Sequence, residues 1–120
     1  MVRGSLILVL PLLALSTGCS DDIVCESDLE QTVTFTEDIA PLFEAKCNYC
    51  HNHEKTGVER EGAPVGVDYT TYAASVANAQ GALDEILAGE MPPVCEACPS
   101  VPNAEQANLL CNWMKQGTPE

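Results

Sequence analysis

Residues 47–51 read CNYCH, and this C-x-x-C-H run governs the interpretation of the whole chain. Two residues separate Cys47 from Cys50, so on a helical turn the two sulfurs lie close together on one side. His51 follows directly and brings an imidazole beside the two thiols. A run of this kind is suited to binding one group through sulfur and nitrogen together.

The C-x-x-C-H pattern is the attachment signature of c-type haem. Its thiols add across the haem vinyl groups to form thioether bonds, and its histidine ligates the iron. We therefore expect one covalent haem c, bound by Cys47 and Cys50, with His51 as the proximal iron ligand. The chain has only six aromatic side chains, so a buried haem would also supply apolar volume to a thin core.

The N-terminus predicts export across a bacterial membrane. Arg3 precedes an apolar run at 6–15 that is too short to span a bilayer, and small residues follow as far as Cys19. Residues 1–18 are thus expected to be a signal peptide, and LSTGC at 15–19 resembles a lipobox, whose cysteine is lipidated. We expect an outer-membrane lipoprotein on the periplasmic side, held at the membrane through that lipid alone. Ordinary cleavage nearby, giving a soluble periplasmic or secreted protein, is the alternative.

The charge of the chain is strongly acidic. Its 120 residues include 18 Asp and Glu against five Lys and Arg, for a formal net charge of −13. This composition argues against nucleic acid as a partner, because phosphate binding needs clustered Lys and Arg. A redox protein with such a surface is steered towards a basic docking patch on its protein partner.

Four of the seven cysteines remain once Cys19 is assigned to lipid and the C-x-x-C pair to haem. In an oxidising compartment this even set predicts two disulfides among Cys25, Cys95, Cys98 and Cys111. We expect Cys111 to pair with Cys95 or Cys98. The main alternative joins Cys95 to Cys98 and Cys25 to Cys111. A zinc site built from the two C-x-x-C pairs competes, but it leaves His51 unexplained.

The pattern downstream predicts an all-α chain with long connections. Thr36 is the expected N-cap of a first helix that runs into the C-x-x-C-H run. Asn103 and Gln106 form a capping box that begins the last helix, and Gly117 ends it. Between these helices, apolar residues predict two short helices, at 69–77 and 80–88. Glycine and proline predict loops at 52–68 and 94–102.

Met91 is the candidate distal ligand of the iron. It stands 40 residues after His51 and directly before two prolines, which hold the chain extended and stiffen the loop. A thioether ligand favours Fe(II) and raises the reduction potential. Met114 falls in the apolar stripe of the last helix and is expected in the core, whereas His53 is expected to be exposed.

Three motifs in this order resemble a class I cytochrome c domain over residues 35–118, behind an acidic tether at 19–34. DIAPLF at 38–43 is similar to the first helix of that family, and GEMPP at 89–93 is similar to its methionine loop. Residues 109–117 resemble its last helix. The resemblance implies an all-α cytochrome c fold, with three to five short helices and long loops packed around one covalent haem.

The same resemblance implies that Phe43 and Trp113 meet beside the haem, where the first and last helices cross. It also implies an electron carrier, not an enzyme, that passes one electron at a time through a haem ligated by His51 and Met91. One alternative is a haem-based sensor or peroxidase-like enzyme in which Met91 is labile. The other is a haem-free interaction module that is braced by disulfides or binds zinc.

Overall fold

The computed structural model describes Cys25 and residues 31–120; the predicted signal peptide, Cys19 and most of the tether lie outside these residues. The described part consists of helices and loops without a strand, which confirms the predicted all-α class. None of its helices is long and apolar enough to cross a bilayer. Its elements are a π-helical turn at Phe35–Ile39, helix α1 at Ala40–Lys46, a 3₁₀ turn at Gly57–Arg60, helix α2 at Tyr72–Ala88 and helix α3 at Ala104–Lys115.

The N-cap of the first helical segment is Thr34, so the prediction of Thr36 is wrong. The Thr34 hydroxyl accepts a hydrogen bond from the Glu37 amide at 3.2 Å, and the Thr34 amide donates to the Asp38 carboxylate at 2.8 Å. The Thr36 hydroxyl is engaged elsewhere, because it donates to the Glu120 carbonyl at 3.2 Å. Two side chains therefore cap the segment reciprocally, two residues earlier than expected.

Helix α2 is continuous where the sequence predicted two shorter helices. The expected gap at 78–79 does not occur, and the Asn78 side-chain amide donates to the Ala74 carbonyl one turn back, at 2.9 Å. Gly81 also lies inside the helix, although glycine costs about 1 kcal/mol there relative to alanine. Apolar side chains buried within and after the expected gap offset that cost: Ala79, Ala82, Leu83 and Ile86.

Helix α3 begins and ends as predicted. Asn103 Oδ1 accepts from the Gln106 amide at 2.9 Å, while Gln106 Oε1 accepts from the Asn103 amide at 3.1 Å. This reciprocal pair is the capping box that the sequence indicated. The helix ends at Lys115, and Gly117 follows with φ of 85°, a left-handed conformation that favours glycine.

The last residues of the chain connect α3 to the first helical segment and to α2. The Pro119 carbonyl accepts from the Phe35 amide and from the Trp113 indole, both at 2.8 Å. The Tyr72 hydroxyl donates to the Thr118 carbonyl at 2.7 Å. The sequence did not predict these bonds, because a backbone acceptor has no side-chain signature.

One hydrophobic core lies between the helices, and Ile39, Phe43 and Trp113 are fully buried in it. The Phe43 ring packs on Tyr69, with centroids 4.6 Å apart, and the Trp113 ring packs on Phe35, with centroids 6.2 Å apart. Tyr69, which packs on Phe43, comes from the loop before α2, and Tyr72 of α2 also packs on Trp113, with centroids 6.5 Å apart. The meeting of Phe43 and Trp113 beside a haem, which the resemblance implies, stays a prediction.

The disulfides join Cys25 to Cys111 and Cys95 to Cys98, with Cα separations of 5.3 and 5.0 Å. The expectation that Cys111 pairs with Cys95 or Cys98 is thus wrong, and the alternative pairing is the one observed. The reason is that Cys25 lies beside α3, where Lys115 Nζ donates to the Cys25 carbonyl at 2.8 Å. Cys95 and Cys98 are close enough in the chain to pair locally.

Candidate functional site

A cavity of about 310 Å³ lies between the end of α1, the loop at 52–68, helix α2 and residues 89–102, which we term the methionine loop. Three of the four predicted haem-binding residues line it: Cys47, His51 and Met91. Its other walls are largely apolar and include Val67, Tyr69, Ala82, Ile86, Pro92 and Pro102. The fold thus brings together ligand-type side chains that the sequence separates by 40 residues.

Cys47 and Cys50 are the two cysteines of the described residues that form no disulfide. Burial raises the pKa of the Cys47 thiol to about 12, and the neighbouring Cys50 adds to this rise, while Lys46 opposes it. Burial also raises the pKa of Cys50, which is buried but is not on the cavity wall. These surroundings favour the uncharged thiol over the thiolate in the protein without a bound group.

The His51 ring is oriented by its backbone acceptor. Its Nδ1 lies 3.1 Å from the Val67 carbonyl oxygen, and because a carbonyl only accepts, Nδ1 carries the proton and donates. Nε2 then has its lone pair free for a metal. Burial lowers the pKa of this imidazole, although the hydrogen bond to Val67 acts in the opposite direction. The neutral form, which can ligate iron, is therefore favoured.

The loop at 52–68 is closed around the guanidinium of Arg60, which is 4% exposed. Its nitrogens donate at 2.6–3.1 Å to four backbone carbonyls, those of Asn52, Ala63, Pro64 and Val67. The sequence analysis missed this role. The available signal was that Arg60 is the one arginine after Arg3 and stands in a segment rich in glycine.

Small residues of α2 face the cavity, namely Ala77, Gly81 and Ala82. A Cβ atom built on Gly81 would meet no heavy atom within 4 Å, because that side of the helix faces open space. Glycine at this position therefore keeps room that a larger side chain would occupy. The sequence showed a glycine within a helical pattern but did not show what it faces.

Met91 is half-buried at the start of the methionine loop. The amides of Glu90 and Met91 turn back onto the Glu85 carbonyl at 3.0 and 3.4 Å. Farther along, Lys46 Nζ donates to the carbonyl and the hydroxyl of Ser100, at 3.1 and 2.8 Å. The second contact joins the methionine loop to α1, directly before Cys47.

The other predicted candidates lie away from the cavity. His53 is exposed as predicted, with Nδ1 2.6 Å from the Thr70 hydroxyl. Met114 is half-buried and packs against the core. Cys95 and Cys98 are bonded to each other and so do not offer thiolates to a zinc ion. Within the described residues, no three His, Cys, Asp or Glu side chains converge in a way that could hold a metal ion.

The neutral thiols, the oriented imidazole, the thioether and the apolar walls together fit the chemistry of a covalently bound haem. Comparison with protein-family models, with curated proteins and with solved structures found no match to this chain. The function of this chain is therefore inferred from the residues of the cavity.

Proposed function

We propose that this chain is an exported electron carrier that holds one covalent c-type haem in the cavity. One observation supports this most directly: a cysteine outside the disulfides, a histidine with Nε2 available and a methionine thioether occur together at one largely apolar cavity. Cys47 and Cys50 would bind the haem, His51 would be its proximal ligand and Met91 its distal ligand. This donor set is that of electron-transfer c-type cytochromes.

Each side chain of the site has a distinct part in this proposal. When bound, the haem supplies a one-electron iron couple. The Val67 carbonyl accepts a hydrogen bond from His51 Nδ1–H and so leaves the Nε2 lone pair free for a metal. The soft thioether of Met91 favours reduced iron and raises the potential. Apolar walls limit the access of water to the site and so influence the reduction potential of a haem iron bound there.

The class I cytochrome c fold and a lipid anchor at Cys19 belong to the same proposal. The order of the elements supports the fold, since a helix leads into the C-x-x-C-H run, a methionine loop follows α2, and a capped helix ends the chain. The apolar N-terminal run supports a periplasmic location. The net charge of −13 supports docking to a basic patch on a redox partner.

The proposal is tested with the full chain, signal included, produced in cells that mature c-type cytochromes. We expect the purified ferric protein to show the weak charge-transfer band of methionine–iron ligation, and the reduced protein not to bind carbon monoxide. Met91→Ala should lose the band and bind carbon monoxide, whereas the matched control Met114→Ala should retain the wild-type spectrum. Carbon monoxide binding by the reduced wild type would instead support a sensor or a peroxidase-like enzyme.

A further inference from the structure

We infer that Arg60 is a positioning residue for the proximal imidazole and that it acts through the Val67 carbonyl. This inference rests on the proposed function, because it concerns His51 as an iron ligand. The Val67 carbonyl oxygen lies 3.1 Å from Arg60 Nη2 and 3.1 Å from His51 Nδ1. One backbone acceptor therefore joins the buried guanidinium to the imidazole that faces the cavity.

The remaining bonds of Arg60 hold this acceptor in place. Nε donates to Ala63 at 3.1 Å, Nη1 donates to Asn52 at 2.7 Å, and Nη2 also donates to Pro64 at 2.6 Å. The planar guanidinium fixes the directions of its donors, so the loop has to fold with these carbonyls turned inward. Val67 is thereby held at one place against His51.

Burying a guanidinium without a carboxylate partner costs several kcal/mol in desolvation, which hydrogen bonds then have to offset. All the bonds of Arg60 among the described residues go to backbone carbonyls of one loop. A loop that needed only to be closed could use neutral side chains at a lower cost. A buried guanidinium is explained if the direction of the Val67 carbonyl has to be fixed for its hydrogen bond with His51.

That direction affects the iron ligand through Nδ1. A hydrogen bond from Nδ1–H to a fixed acceptor makes the imidazole a stronger donor at Nε2 and stabilises oxidised iron. If the Val67 carbonyl moves away, the His51 ring loses this hydrogen bond and donates less electron density to the iron. The reduced state is then stabilised relative to the oxidised state. Removing the charge of Arg60 would act in the opposite direction, by favouring oxidised iron. A test therefore has to keep the positive charge at position 60 and remove only the planar set of hydrogen-bond donors.

Arg60→Lys meets this condition, because lysine keeps the charge but lacks the planar set of donors. We expect it to speed the exchange of the His51 Nδ1 proton with solvent, as measured by NMR on the reduced holoprotein. At a fixed electrode potential, the ratio of reduced to oxidised protein should rise about threefold. For a one-electron couple a tenfold change corresponds to 59 mV, so this rise corresponds to about 30 mV.

Gly62→Ala is the matched control. Gly62 has φ of 85° in the same loop, and an added Cβ would meet nothing within 4 Å, so the variant strains the loop but leaves every Arg60 donor in place. It should lower stability without changing proton exchange or the redox ratio. Equal shifts in both variants would overturn the inference, since loop integrity alone would then explain them, and so would the absence of any shift in Arg60→Lys.

A measurement on the wild type covers the case in which Arg60→Lys does not fold. Arg60 Nη2 and His51 Nδ1 donate to one oxygen, so their protons should show a nuclear Overhauser effect in the reduced holoprotein. Its absence would overturn the inference. A wild-type protein without covalent haem would be a different result, because it would overturn the proposed function before Arg60 is examined.

Discussion

The histidine side and the methionine side of the cavity are built in different ways. On the histidine side, the His51 ring is bonded to the Val67 carbonyl, and that carbonyl is one of four bound by the buried Arg60. This network is partly buried around a guanidinium that is itself buried, and the loss of a partner is costly for a buried polar group.

On the methionine side, the hydrogen bonds lie nearer the surface. Met91 is held by its amide on the Glu85 carbonyl at 3.4 Å, and the rest of the methionine loop is joined to α1 through Lys46 and Ser100. Exposed bonds of this kind open at low cost. The comparison indicates that the two proposed ligands differ in how firmly the chain holds them, with Met91 the more readily displaced.

The largest effect is expected on the histidine side, from Cys47→Ser or Cys50→Ser. Either change should abolish complete covalent attachment of haem and reduce the amount of folded protein severely, because the proposed haem would supply apolar volume beside the core. Haem content and circular dichroism of the secreted protein measure this. The paired change of Cys95 and Cys98 to serine, on the methionine side, is the control and should retain covalent haem. Equal yields of folded, haem-free protein from Cys47→Ser and the wild type would contradict the prediction.

The two disulfides should differ in their contribution to stability. Cys25–Cys111 spans a sequence separation of 86, whereas Cys95–Cys98 spans 3. Chain-entropy estimates give about 4.5 kcal/mol for the long loop and about 2 kcal/mol for the short one. Replacing each pair by alanine and unfolding the proteins in guanidinium chloride tests this order. Equal losses would show that the methionine loop depends on its own disulfide more than its short span indicates.

Met91→His addresses the methionine side directly. Haem attachment should be retained and the iron should stay six-coordinate, while the reduction potential should fall by more than about 100 mV, because imidazole stabilises Fe(III) more than a thioether does. A spectroelectrochemical titration measures the shift, with Met114→His as a control for a methionine in the core. A potential equal to that of the wild type would show that Met91 does not bind iron.

The smallest effect is expected at Gly81, on the cavity face of α2. Gly81→Ala should stabilise the haem-free protein by about 1 kcal/mol through helix propensity, since its Cβ meets no neighbour. Gly81→Leu should instead reduce haem incorporation, because the larger side chain enters the cavity. Thermal unfolding and haem content are the two measurements. Full haem content in Gly81→Leu would place the haem away from this face.

The sequence predicted those features whose cause is local. The capping box of α3 needs only Asn103 and Gln106, and both the box and the glycine that ends the helix were found from their spacing. The ligand-type residues were identified from the C-x-x-C-H run and from a methionine before two prolines. Three of them, Cys47, His51 and Met91, line one cavity.

Features that depend on distant backbone groups could not be predicted. The four carbonyls around Arg60 have no sequence signature, so its burial was not foreseen. The pairing of Cys25 with Cys111 depends on Cys25 lying beside α3, which no periodicity encodes. Two helices were predicted where α2 is continuous, because the packing of its buried face, which joins the two predicted pieces, depends on the rest of the fold.

The central claim is that the thiols of Cys47 and Cys50 bind haem covalently, and a pyridine haemochrome assay tests it most directly. The full chain is produced in cells that mature c-type cytochromes, and the purified protein is extracted with acidified acetone to remove any haem that is not covalently bound. We predict that one haem per chain remains with the protein and shows the haemochrome spectrum of two thioether bonds. Protein that retains no haem after this extraction would contradict the account.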